Sequence, residues 1–176
     1  MEVTNDMAMT FEGIMGEQLG LKFMKRKGYE CFQPDMMCKD GRSDKWICLE
    51  CKYKELWHTD KNDHVWWGTG LDVKQIASRM RFQQDTGIRT MLLTFDSKSD
   101  LRRFEQSRKD RIDRQVDCYW AWLDELEAAG DAETLKGKGN GKVVRIYNLE
   151  LMNYGSLLYI PNKQMIECLQ HIGKPL

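Results

Sequence analysis

At 176 residues, of which 41% are hydrophobic and 31% charged, the chain is long enough to bury one real core and short for two domains, and it is no disordered polar polymer. No apolar run approaches the roughly 18 residues a membrane span needs. Basic and acidic residues balance at 27 each, which excludes a global positive field for indiscriminate nucleic-acid binding, so any such contact must be local.

The opening stretch MEVTNDMAMTFEG has neither a basic start nor an apolar run, which predicts a cytoplasmic setting where the six cysteines stay reduced. Several of them sit inside apolar segments, where a free thiol acts as a small hydrophobe. From Thr10 to Lys27 the residues Phe11, Ile14, Met15, Leu19 and Phe23 recur at spacings of three and four, the pattern of an amphipathic helix that Gly28 can close. The next segment, YECFQPDMMCKDGRSDKWICLECKYKE, holds two apolar stretches around KDGRSDK, whose Asp-Gly pair predicts a hairpin turn.

The second strand of that hairpin has informative parity. Ile47, Leu49, Cys51 and Tyr53 alternate with Cys48, Glu50, Lys52 and Lys54, so one face is apolar and the other carries chemistry. The stretch Glu55–Gly70 has no clear period and reads as a loop beside the sheet edge. Asp72–Thr86 predicts a second helix, with Val73, Ile76, Ala77 and Met80 in phase and Gly87 past its end, and Thr90–Phe95 predicts a buried strand. Asp100–Arg114 is a candidate charged helix, while CYWAWLDELE fits either strand or helix period. Leu135–Lys142, LKGKGNGK, predicts a mobile loop, followed by the strand-like VVRIYNLEL and SLLYIP and a short helix over Asn162–His171.

Cleaving a phosphodiester requires neutralisation of phosphate charge, a nucleophilic water and support for the leaving oxygen, which a hard cation held by carboxylates can supply. Asp35 follows Pro34 at the start of the first hairpin strand, Glu50 and Lys52 share a face of the second, and paired strands lie about 5 Å apart, so the two acids could share a metal. Lys52 would stand beside the same ion, placed to position the water or to stabilise phosphate charge.

Pro34-Asp35, fourteen further residues and then Glu50-Cys51-Lys52 resemble the signature of the PD-(D/E)XK nucleases. Within that superfamily, Gly16–Lys54 looks most like archaeal-type Holliday junction resolvases, in which a first-helix Glu precedes a Gly with the spacing of Glu17 and Gly28; agreement is looser through Phe95 and says little about residues 96–176. The resemblance implies a restriction-endonuclease-like core, with Asp35, Glu50 and the main-chain carbonyl of Cys51 as metal ligands. It also implies that Glu17 reaches the metal through water, that Lys52 is the catalytic lysine, and that the enzyme cuts as a symmetric homodimer.

Rival patterns are weaker. Asp40 and Asp44 compete for the role of first acid but sit in the turn. Cys48 and Cys51, three apart on a strand, face opposite sides and have no second pair to complete a zinc site. The glycine-rich loop lacks the Lys-Ser/Thr ending of a phosphate cradle. His58, His64 and His171 have no partner visible in the sequence. Lys54, Gln75, Arg79 and Arg81 could touch a DNA backbone, Gln75 and Arg79 sharing a helix face, or form a solvated surface. Trp57, Trp66 and Trp67 could stack on unpaired bases or wedge a junction, or lie in the core.

The sequence therefore predicts a single α/β domain over residues 1–176, with a mixed central sheet flanked by helices over about 10–96 and an elaboration over 97–176. The expected activity is a Mg²⁺-dependent DNA endonuclease, with Mn²⁺ able to substitute, acting on branched or junction DNA. A restriction- or repair-type nuclease on duplex DNA, a non-catalytic DNA-binding module of the same fold, and a protein-interaction factor are the alternatives.

Overall fold

The computed structural model describes residues 5–32, 37–59, 65–103, 113–136 and 142–173, with side-chain detail for most of them. Pro34, Asp35 and His64 lie outside the described residues. Helix α1 spans Asn5–Arg26, starting earlier than the apolar period indicates, and Gly28 follows it in the left-handed conformation at φ 90°. Strands β1 (Tyr29–Phe32), β2 (Met37–Asp40) and β3 (Trp46–Lys54) follow as an antiparallel meander, so the first apolar stretch forms two strands instead of one.

Asp40 organises the β2–β3 turn. Its carboxylate accepts from the Arg42 amide at 2.9 Å and the Ser43 hydroxyl at 2.5 Å, and these bonds pull its pKa below the usual carboxylate value. The stretch after β3 is not a plain loop. Short strands β4 (His58–Thr59) and β5 (Val65–Trp66) pair with each other, and β6 (Gly68–Asp72) enters a second sheet. Helix α2 (Val73–Thr86) begins where Asp72 accepts from the Lys74 amide at 2.8 Å, and ends at Gly87, φ 73°, whose amide donates to the Gln83 carbonyl.

Strand β7 (Arg89–Asp96) runs parallel to β3, Glu50 standing opposite Leu92 and Lys52 opposite Thr94. The expectation of a charged helix over Asp100–Arg114 fails at both ends. Leu101–Arg103 is strand β8 and Arg114 belongs to β9 (Asp113–Trp122), while 104–112 lie outside the described residues. Arg114 and Asp100 are charged for pairing with each other inside the protein, which the linear charge pattern cannot distinguish from surface pairing. The guanidinium donates to Asp100 at 2.9 Å, and Tyr53 and Tyr159 donate to the same carboxylate at 2.8 Å.

The ambiguous CYWAWLDELE is both structures in turn, β9 passing at Trp122 into helix α3 (Leu123–Ala129). Strands β10 (Ala132–Lys136) and β11 (Val143–Asn148) extend the second sheet; the glycine-rich run falls mostly on 137–141, outside the described residues. Strand β12 (Asn153–Tyr159) and helix α4 (Lys163–Ile172) complete the chain close to their expected positions.

The main sheet has the order β1-β2-β3-β7-β9-β12, with β8 also paired to β9, and only β3 and β7 are parallel among its described pairings. The result is a mixed α/β protein whose mixed sheet is flanked by helices. One face packs Met15, Leu19 and Phe23 of α1 and Met165 and Leu169 of α4 against Leu49, Leu93, Phe95 and Val116. The other packs Ile76 of α2 and Leu123 and Leu126 of α3 against Leu92 and Ala121, with Leu71 and Tyr147 of the second sheet beneath them. Burying any one such leucine contributes about 1.5–3 kcal/mol. Strand β3 thus packs its odd-numbered residues against α1, and on its other face Glu50 meets Arg79 of α2 where a solvated carboxylate would have met water.

Candidate active site

Glu50 is 8% exposed, and both its carboxylate oxygens are engaged. The Lys52 ammonium donates to Oε1 at 2.8 Å, and Nε and Nη2 of Arg79 both lie 3.2 Å from Oε2. Strand alternation puts Glu50 and Lys52 on one face, while the helical position of Arg79, two turns past the Asp72 cap, brings its guanidinium over that face. The three residues form one charge cluster in a partly buried setting, where ion pairing is less screened than at an open surface.

Lys54 continues the row. Its ammonium donates to the Gly70 carbonyl at 3.3 Å, and burial, reinforced by the neighbouring Lys52 charge and opposed by Glu12, lowers its pKa to about 8. Beside this row, the Thr69 and Thr94 hydroxyls are hydrogen-bonded at 3.0 Å and tie β6 to β7.

The carbonyl of Cys51 has a definite direction. The Lys54 carbonyl accepts from the Ser97 amide on the β7 side at 2.9 Å, and the Lys45 carbonyl accepts from Asp40 on the β2 side at 2.8 Å. Carbonyls alternate sides along a strand, so that of Cys51 points away from β7, toward the edge where the described β2 pairing ends at Met37 opposite Cys48. The Cys51 thiol packs toward the α1 core, and burial followed by the Glu50 charge raises its pKa well above the ordinary thiol value. The hard donors available here are therefore the Glu50 carboxylate and the Cys51 carbonyl, oxygen ligands of the kind Mg²⁺ prefers. Among the described residues, Glu17 included, no group of three or more His, Cys, Asp and Glu is arranged to hold a metal, so a full ligand set would need Asp35 as well.

Glu17 is exposed on α1, and its charge reaches the Cys51 thiol. The adjacent Gly16 explains how α1 comes so close. A Cβ there would stand 3.2 Å from the Tyr53 amide nitrogen and 3.3 Å from the Lys52 carbonyl carbon. Glu12 and Gly13, one turn earlier, line a shallow cleft of about 220 Å³ together with Cys51, Lys52, Tyr53 and Lys54.

Glu12 is thus an acid of the cleft that the sequence reading missed. Its available signal was the helical spacing of Glu12, Gly13 and Gly16, which puts an acid beside the two small residues that allow close packing. Arg79 forks Glu50, and Gln75, a turn earlier, is exposed. Asp40 and Asp44 lie at the other end of β3, Asp40 as the last residue of β2, where it caps the turn the sequence placed it in, and Asp44 paired with Lys39 at 2.8 Å. The described cysteines Cys38, Cys48, Cys51, Cys118 and Cys168 are free thiols, and His171 stacks on Phe11 with ring centroids 4.4 Å apart.

Fold and site together define a mixed α/β protein with a Glu-x-Lys row on a strand, the Glu held by an arginine from α2. No protein-family model, curated protein or solved structure matches the chain. No described helix is long and apolar enough to cross a membrane.

Proposed function

We propose that the protein is a divalent-metal-dependent DNA endonuclease with a restriction-endonuclease-like core, hydrolysing phosphodiester bonds in branched or junction DNA as a homodimer. The observation that carries this reading is the Glu50–Lys52 pair at 2.8 Å on one face of a central strand, next to the outward-turned Cys51 carbonyl. The substrate and the dimer rest on the resemblance of Gly16–Lys54 to junction resolvases.

Glu50 and the Cys51 carbonyl would hold the cation with Asp35, which is two residues from Met37, a chain reach of at most about 7 Å. Bound Mg²⁺ would supply charge neutralisation at the phosphate and an acidified water. Lys52, presented next to Glu50, would orient that water and stabilise the developing phosphate charge. Arg79 would hold Glu50 in its rotamer before metal arrives, and Glu17 would border the site from α1.

A second reading has a specific observation behind it: both Glu50 oxygens are already neutralised by Lys52 and Arg79, as in a structural ion cluster. In that case the protein would bind DNA without turnover. Incubation with four-way junction, flap, linear duplex and single-stranded DNA, in Mg²⁺, Mn²⁺ or EDTA, separates the two. Metal-dependent cleavage of branched substrates supports the enzyme. Binding without cleavage in either metal supports the binding module, and neither binding nor cleavage defeats both readings.

A further inference from the structure

We propose that Trp57 and Trp67 form an aromatic pair that stacks unpaired bases beside Lys52 and Lys54, making the preferred substrate DNA with splayed or single-stranded nucleotides over continuous duplex. The inference rests on the nuclease reading and deepens it by assigning the substrate class to named side chains.

The geometry begins in the β4–β5 ladder, where His58 pairs with Trp66 and Thr59 with Val65. Extended one position past the last paired residues, that register would set Trp57 opposite Trp67, and directly opposed residues present their side chains on the same face. Both indoles face outward, at 54% and 56% exposure. Trp66 instead packs inward, where a Cβ on Gly68 would stand 2.8 Å from its ring.

The base of this hairpin is fixed. Leu56 is 1% exposed in the α2-side core, the Trp67 carbonyl accepts from the Leu149 amide at 3.1 Å, and β6 joins β11 from Gly68 onward. Exposed large aromatics held on a fixed backbone lose little entropy on binding, and such apolar surface marks an interaction site.

The flanking charges select the partner. Both hairpin arms lead away from the contact between Lys54 and the Gly70 carbonyl, Trp57 lying three residues after Lys54 and Trp67 three residues before Gly70. Three residues of chain reach about 10 Å at most, so the indoles lie near Lys54 and near the Glu55–Lys98 ion pair, with the Lys52–Glu50 pair next along the strand. Stacking faces combined with cations that follow the phosphates make the pattern of single-strand recognition. A continuous duplex buries its base faces and cannot use the pair.

The test is anisotropy binding in EDTA with labelled oligo(dT), a fork, a four-way junction and a duplex, comparing wild type with Trp57→Ala, Trp67→Ala and the two Phe variants. We expect each Ala variant to lose about tenfold in affinity for oligo(dT) and fork, the size of one base–aromatic stack, with duplex affinity unchanged and Phe retaining most of it. Circular dichroism melts confirm that the variants fold. Equal losses on duplex and single strand, or no loss in folded variants, would overturn the proposal. So would a Trp57→Ala protein that binds every DNA as wild type does but passes from dimer to monomer, which would assign the pair to subunit contact. Because binding is read without metal, a wild type that cuts nothing but shows the tryptophan-dependent preference would defeat the nuclease reading and leave this one standing. Cleavage unaffected by either substitution, with binding also unaffected, would do the reverse.

Discussion

Arg79 of α2 places Nε and Nη2 each 3.2 Å from Oε2 of Glu50, twenty-nine residues away in sequence, and so fixes the orientation of the one fully described acid in the β3 row. Removing that fork leaves Glu50, at 8% exposure, with Lys52 alone. Arg79→Met should cost about 1–2 kcal/mol, and Arg79→Lys should recover only part of it because an ammonium cannot fork. Thermal melts check this, and a Tm for Arg79→Met equal to wild type would contradict it.

Lys54 provides a pH signature. Burial and the neighbouring Lys52 charge lower its pKa from 10.5 to about 8, so between those values the unfolded chain binds more protons than the folded one. The penalty for the buried ammonium is complete below about pH 8 and is relieved as pH rises toward about 10.5, so stability should rise across that window. Melting wild type and Lys54→Met side by side from pH 7.5 to 10 should show wild type gaining on the variant. Parallel curves would refute the assignment.

Much of this arrangement could be read in the sequence. The alternation of Ile47–Lys54 identified β3 and the face it shares between Glu50 and Lys52, and the Asp72 cap with Gly87 bounded α2. Other parts depend on contacts that no local pattern carries. Gly68 and Gly70 read as loop residues, yet they are strand positions where a Cβ would stand 2.7 Å from Ile146 Cγ2 and 2.8 Å from Val144 Cγ1. The charges around Asp100 and Arg114 fit a helix surface until the two are seen to pair with each other. Arg79 was legible as a basic residue on the face of α2, but its target was not.

The buried Asp100 carboxylate links β3, β9 and β12 through Tyr53, Arg114 and Tyr159. Arg114 is 0% exposed and its guanidinium donates to the Asp100 carboxylate at 2.9 Å, so Asp100→Asn removes that buried counter-charge and should cost about 3–5 kcal/mol. For a chain of this size that lowers Tm by at least roughly 6 °C. A shift below about 2 °C would show that the network contributes little to stability.

Gly16 and Gly13 test the approach of α1 to β3. Gly16→Val would press a branched side chain on the Lys52–Tyr53 backbone, which cannot rotate away, so it should lower Tm and slow cleavage about tenfold by displacing Lys52. Gly13 has nothing within 4 Å of its Cβ position, and Gly13→Ala should raise stability by about 0.5–1 kcal/mol through helix propensity. Equal effects at the two positions would contradict this packing.

The most direct measurement is the single-turnover rate of junction cleavage in saturating Mg²⁺ by wild type and Lys52→Ala, with junction affinity measured in parallel. The account predicts metal-dependent cleavage by wild type and a rate at least about 100-fold lower for Lys52→Ala even where the variant saturates the junction. A variant that cuts at the wild-type rate would contradict the assignment of Lys52.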